Sequence, residues 1–183
     1  MGFGWLLIGY FFVNIMSLYS PLSFAMLAGY PMMILGLFHL AHYHVRFRYC
    51  FYTSLFSLPF AIYFALFGFS QMGLGSFAFL SGSFYTAMEW SYFAFSLLYH
   101  ALLLFAVAGL TRELGLLPLQ GNAWRNLILV VTYYLIDGVV RLPIPWIAEH
   151  RSYFSLSLIL LRLVYILLNM YLIFKCYRHI CPE

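Results

Sequence analysis

The chain has 183 residues, of which 65% are apolar, 22% aromatic and 8% charged, with a net charge of +4. A soluble domain carries about 25% charged residues and buries about 70% of its potential surface, so no water-soluble fold of this size hides so much apolar area. Those figures exclude a soluble enzyme, a nucleic-acid-binding domain, a disulfide scaffold and a disordered chain, and they point to an all-α polytopic bundle of transmembrane helices.

No Asp, Glu, Lys or Arg occurs from Met1 to Val45. As one helix that run would reach about 67 Å, more than twice the hydrocarbon core, so it folds back, with Ser20-Pro21 as the turn. This predicts a first span over 4–19 and a second over 22–40. The N-terminus has no basic region ahead of its apolar run and reads as the first span rather than a removable signal peptide. Tyr49–Met88 is also free of charge and holds a third span over 50–69. A Gly/Ser-rich loop over Ser70–Ser83 follows, with an apolar centre at Phe77-Ala78-Phe79-Leu80 suited to dip into the bilayer. The fourth span is predicted over 84–110. Gly115, Pro118, Gly121 and Asn122 then read as breakers in a loop over 111–123. The fifth span covers 124–142, ending at Pro143-Ile144-Pro145, and the sixth covers 153–174. The result is one integral membrane domain without linkers or repeats, multi-pass, and in the cytoplasmic membrane if bacterial.

Orientation follows from the basic residues. Arg46, Arg48, Arg112, Arg125, Lys175 and Arg178 share one side in this layout, and Arg151 is the basic loop residue of the other. Both termini are therefore expected on the cytoplasmic side, with the turns near Pro21, Gly75 and Trp146 outside.

Polar residues inside spans are the informative ones, since a charge at the bilayer centre costs about 2.5–3.5 kcal/mol. Glu89, Ser96 and His100 fall on one line of the fourth span. Asn126, Tyr133, Asp137 and Arg141 form a line on the fifth, and Ser155, Arg162, Asn169 and Cys176 a line on the sixth. Such lines either surround a polar cavity or pair across a packed bundle. The four charges Glu89, Asp137, Arg141 and Arg162 fall in the outer half of the bilayer and sum to zero. They are expected to form one network, with Arg162 meeting Glu89 or Asp137 across helices. The candidate ligand-binding residues are Glu89, His100, Asp137, Arg141, Arg162 and Asn169. The deep arginine is the anchor for an anionic or polar ligand.

Other patterns lead less far. Asp137-Gly138-Val139-Val140-Arg141 resembles the start of the CDP-alcohol phosphotransferase signature, but His150, Phe154 and Leu158 stand where that family needs Gly, Asp and Asp, so its two-metal carboxylate site is not built. His39, His42 and His44 form H-x2-H-x-H without an accompanying carboxylate or cysteine, and Cys176, His179 and Cys181 sit on the tail. No hydrolase, zincin, phosphate-loop or dinucleotide motif occurs, so no catalytic residue, metal or cofactor is assigned. Ser57, Ala61 and Ala65, and Ala25 with Gly29, are small-residue seams for close helix approach. Pro31 and Pro59 are expected to kink their helices.

In size, six helices and inside termini, the chain looks like the vitamin-binding subunits of energy-coupling-factor transporters. That likeness implies a small-solute-binding or transport-related membrane subunit. A membrane-embedded enzyme acting on a lipid-like substrate through Glu89, His100 or Asp137, and a scaffold without a ligand, are the alternatives. The expected partners are the lipid bilayer and other membrane subunits or a second copy of the chain, not nucleic acid.

Overall fold

The structure is a computed structural model that describes residues 2–75, 80–142 and 144–180, with the side chains of residues 148, 151 and 152 outside the description. Of the apolar centre Phe77-Ala78-Phe79-Leu80 of the loop predicted over Ser70–Ser83, residues 77–79 lie outside the described residues, as do Ser76, Pro143 and Cys181, while Leu80 is buried. Among the described residues there are helices and no strands. They are α1 (Gly2–Asn14), α2 (Met26–Leu40), α3 (Val45–Leu55), α4 (Ser57–Gln71), α5 (Gly82–Glu113), α6 (Leu117–Arg141) and α7 (Pro145–Ile180), with two 3-10 turns, Met16–Leu18 and Ser20–Ala25, between α1 and α2.

Four stretches have the length and apolarity of a membrane span: Ser20–Leu40, Gly82–Glu113, Leu117–Arg141 and Tyr153–Ile180. The bent pair α3–α4 makes a fifth if it crosses as one unit, and Gly2–Leu18 is an apolar helix below span length. The six segments expected from hydropathy are thus all present as helix, and four or five of them qualify as spans.

Local chemistry explains where the helices stop. Tyr19 is extended (φ −92°, ψ 113°), and Pro21 stands in the first turn of the next element, where its missing N–H is not needed. The 41° bend between α3 and α4 falls at Phe56. Pro59 removes the hydrogen bond to Leu55, and its ring crowds that carbonyl. Ser54 Oγ and Ser57 Oγ donate to the nearby carbonyls of Phe51 (2.7 Å) and Ser54 (2.5 Å). Pro31, by contrast, lies inside α2 without interrupting it. Gly73 and Gly115 adopt positive φ (76° and 71°) just past α4 and α5. Leu74 N–H to Phe69 O (2.9 Å) and Leu116 N–H to Thr111 O (2.8 Å) complete the left-handed helix stop that glycine allows.

Two expected loops are shorter than the sequence suggests. The link between α5 and α6 is Leu114–Leu116, because Pro118 occupies the first turn of α6 and Gly121 and Asn122 continue it. Proline starts a helix as readily as it ends one. In the same way Pro145 opens α7, which runs 36 residues rather than beginning near residue 153.

The helices close into a ring: α1 packs on α2 and α7, α7 on α6, α6 on α5, α5 on α3, and α2 on α3 and α4. Contact between α1 and α2 is backbone to backbone. A Cβ on Gly9 would lie 2.6 Å from Gly29 O, and one on Gly36 would lie 2.7 Å from Gly2 O and Leu6 N. On α4, buried Ser57, Ala61 and Ala65 mark the small-residue seam, and Ser23 Oγ donates to Phe64 O at 2.5 Å. Where lipid replaces water, such close approach is what holds helices together.

At the Glu113 end of the bundle, the His44 side chain caps α3 by accepting from Arg46 N–H (3.0 Å). Its other ring nitrogen therefore carries the proton and donates to Glu113 Oε1 (3.0 Å). The Arg46 guanidinium lies over the Phe105 ring at 4.4 Å. His39 and His42 are exposed, and no group of three His, Cys, Asp or Glu among the described residues is placed to hold a metal ion.

Candidate functional site

The polar lines of α5, α6 and α7 meet at the opposite end of the bundle, where α6 finishes and α5 begins. Glu89, Ser96, Tyr133, Asp137, Arg141 and Arg162 line one cavity of about 200 Å³. Ser17, Leu18, Ser20 and Ser23, from the turns between α1 and α2, form its far wall. The space continues into a crevice of about 570 Å³ that shares the four charged residues and adds Thr86, Trp90, Ser155, Leu158 and Ile159.

The cavity exists because α1 is short. Its 13 residues reach about 20 Å, and beyond Asn14 the chain turns back instead of continuing beside α7. Turns rather than a helix complete the ring there, and polar side chains of the neighbouring helices face the space that is left.

Within the cavity the ion pairs differ from the sequence expectation. Arg141, not Arg162, joins the two carboxylates: Nη1 donates to Glu89 Oε1 at 3.1 Å and Nε donates to Asp137 Oδ2 at 3.0 Å. Its guanidinium also lies 5.3 Å from the Phe93 ring. The reason is reach. Arg141 stands one turn from Asp137 on α6 and beside the α5 residue that carries Glu89, so a single planar fork serves both acids. Arg162 makes no ion pair among the described residues, and its buried Nε has no hydrogen-bond partner. Tyr92, Tyr133 and Tyr134 line the cavity with it.

His100 and Asn169 lie below the cavity floor and do not line it. His100 Nδ1 is 2.7 Å from the Ser96 carbonyl, which only accepts, so Nδ1 carries the proton. The remaining nitrogen, Nε2, accepts from the Tyr10 hydroxyl at 3.0 Å, and Asn169 Nδ2 donates to the same hydroxyl at 3.0 Å. Tyr10 thereby ties α1, α5 and α7 together at the centre of the ring, where it is fully buried. Nothing in the sequence separates Tyr10 from the other fifteen tyrosines; its role depends on which helices meet. Ser96 Oγ, at the floor, lies 2.5 Å from the Tyr134 hydroxyl and faces a protonated His100 nitrogen at 3.4 Å, an arrangement that gives Ser96 no base. Asn126 is buried at the other end of α6, away from the cavity, with its Oδ1 accepting from Arg125 Nη2 at 3.2 Å.

Tyr10→Phe leaves His100 Nε2 and Asn169 Nδ2 without their shared partner. It is expected to cost about 1–3 kcal/mol and to lower the melting temperature of detergent-purified protein by several degrees. Tyr19→Phe, at an exposed position, provides the unchanged control.

No family model matches the chain, and no curated protein and no solved structure matches it. The functional reading therefore rests on the cavity alone.

Proposed function

We propose that the chain is a six-span membrane protein with both termini on the cytoplasmic side. Its cavity at the Arg141 end binds a small polar ligand whose anionic group seats on Arg162, as in a solute-binding or transport-related membrane subunit. The observation that carries the ligand reading is Arg162. A guanidinium held inside a bundle without a carboxylate is costly, and among the described residues its Nε–H meets no acceptor. A ligand anion in the cavity would supply that acceptor. His100 and Asn169 then serve as structural support beneath the site rather than as contacts.

Support for the topology comes from six apolar helical segments in a ring and from Arg46, Arg48, Arg112, Lys175 and Arg178 falling in the terminal turns of α3, α5 and α7 at one end, with Arg125 eight residues into α6 on that same side. Reporter fusions after Arg48, Gly75, Arg112, Trp146 and Ile180 are expected to alternate in, out, in, out, in. Two neighbouring fusions on the same side overturn six spans.

The site is tested with Leu18→Cys at the cavity wall, in a background without the native cysteines, by comparing anionic and cationic methanethiosulfonate reagents. Arg162→Leu is expected to slow the anionic reagent relative to the cationic one. An unchanged ratio shows that Arg162 does not present its charge to the cavity.

A further inference from the structure

Building on the reading of Arg162 as an anion's partner, we infer that the ligand is a zwitterionic lipid head group, with an anionic oxygen group and a primary ammonium, that enters from the side of the bundle. The charge balance comes first. Glu89, Asp137 and Arg141 sum to −1, and Arg162 brings the cavity to zero. A purely anionic ligand would leave a net charge in a low-dielectric site, whereas a zwitterion leaves none. Arg141 engages one oxygen of each carboxylate, Glu89 Oε1 and Asp137 Oδ2. Among the described residues Glu89 Oε2 accepts no hydrogen bond, which leaves its lone pairs for an ammonium, with three donors and no acceptor. Arg162 Nε–H offers the complementary donor for the anion.

The route of entry argues for a lipid. The charged end of the crevice gives way to an apolar flank of Trp90, Leu158 and Ile159. Trp90 and Ile159 are 39% and 56% exposed where they line the crevice. α5 and α7 each pack on α6 but hardly on each other, so the crevice between them is left open along this apolar flank. A free zwitterion has no use for that wall; a hydrocarbon chain does. The crevice volume of about 570 Å³ lies within the range usual for ligand sites.

The test is native mass spectrometry of the full chain in detergent, with three probes: lysophosphatidylethanolamine, lysophosphatidylglycerol of the same chain length, and free phosphoethanolamine. The ethanolamine lysolipid is expected to bind about tenfold more tightly than the glycerol one, a ratio worth about 1.4 kcal/mol. Phosphoethanolamine alone should not register. Arg162→Gln is expected to remove the binding. Glu89→Gln gives the cavity a net positive charge and should reverse the preference, a change that a folding defect does not produce. If the parent prefers the glycerol lysolipid and Arg162→Gln abolishes that binding, the zwitterion is overturned while Arg162 remains an anion's partner. Equal binding of both lysolipids by the parent and by Arg162→Gln overturns both readings. Binding of phosphoethanolamine as tight as its lysolipid overturns the lipid source.

Discussion

Arg141→Leu is expected to remove most folded protein from the membrane fraction, and Arg162→Leu is not. The two arginines line the same cavity, and their partners make the difference. Without Arg141, Glu89 and Asp137 face each other across α5 and α6 with no cation at 3.0–3.1 Å. Breaking a buried pair by removing one partner costs about 3–5 kcal/mol. The Arg141 and Glu89 side chains keep 32% and 39% of their exposure, which places the expected loss near the lower end, about 3 kcal/mol. Arg162→Leu instead removes a charge that has no ion-pair partner among the described residues, so its melting temperature should equal or exceed the parent's. Size-exclusion profiles and thermal melts of detergent extracts read both. Adding Glu89→Gln and Asp137→Asn to Arg141→Leu should restore the monodisperse peak, since neutral side chains no longer need a cation. A stable Arg141→Leu protein would show that solvent, not the arginine, compensates the two acids.

Gly9→Ala is expected to have the other large effect. Its new methyl would lie 2.6 Å from Gly29 O and 2.7 Å from Met33 N, and backbone cannot yield as a side chain can. α1 and α2 must part, at a cost of about 3 kcal/mol, and Tyr10 is drawn off its contacts with His100 and Asn169. Gly121→Ala is the matched control. Nothing lies within 4 Å of a Cβ there, and the residue is helical, so the change should raise stability by about 0.5–1 kcal/mol. Melts of the two variants should therefore shift in opposite directions. A Gly9→Ala protein that melts with the parent would mean that α1 is not docked on α2 through this seam.

What the sequence determined by itself is local. Charge-free runs at Met1–Val45 and Tyr49–Met88 required apolar helices, because a backbone in lipid must satisfy its own hydrogen bonds. The bend at Phe56 and the stop at Gly115 follow from residues next to them: Pro59 deletes one hydrogen bond, and glycine alone enters positive φ without strain. Helical periodicity also placed Glu89 with Ser96, Asp137 with Arg141, and Arg162 with Asn169 on shared faces, since those spacings lie within one helix. Pro118 and Pro145 were ambiguous for the same local reason, because proline suits both a loop and a first helical turn.

Tertiary structure decided everything that depends on which face meets which. Arg162 and Arg141 are alike in sequence, each an arginine on a polar line, yet only Arg141 reaches Glu89. The choice rests on the packing of α5 against α6. Tyr10 became the central junction because glycine contacts bring α1 close to α2 while α7 supplies Asn169 from the other side. The cavity arises from a mismatch of lengths, a 13-residue α1 in a ring with a 36-residue α7, that has no meaning until the two stand side by side. Spacing along one helix is set by covalent geometry and can be read from sequence. The distance between helices is set by how closely their surfaces fit, and that fit is a property of all of them together.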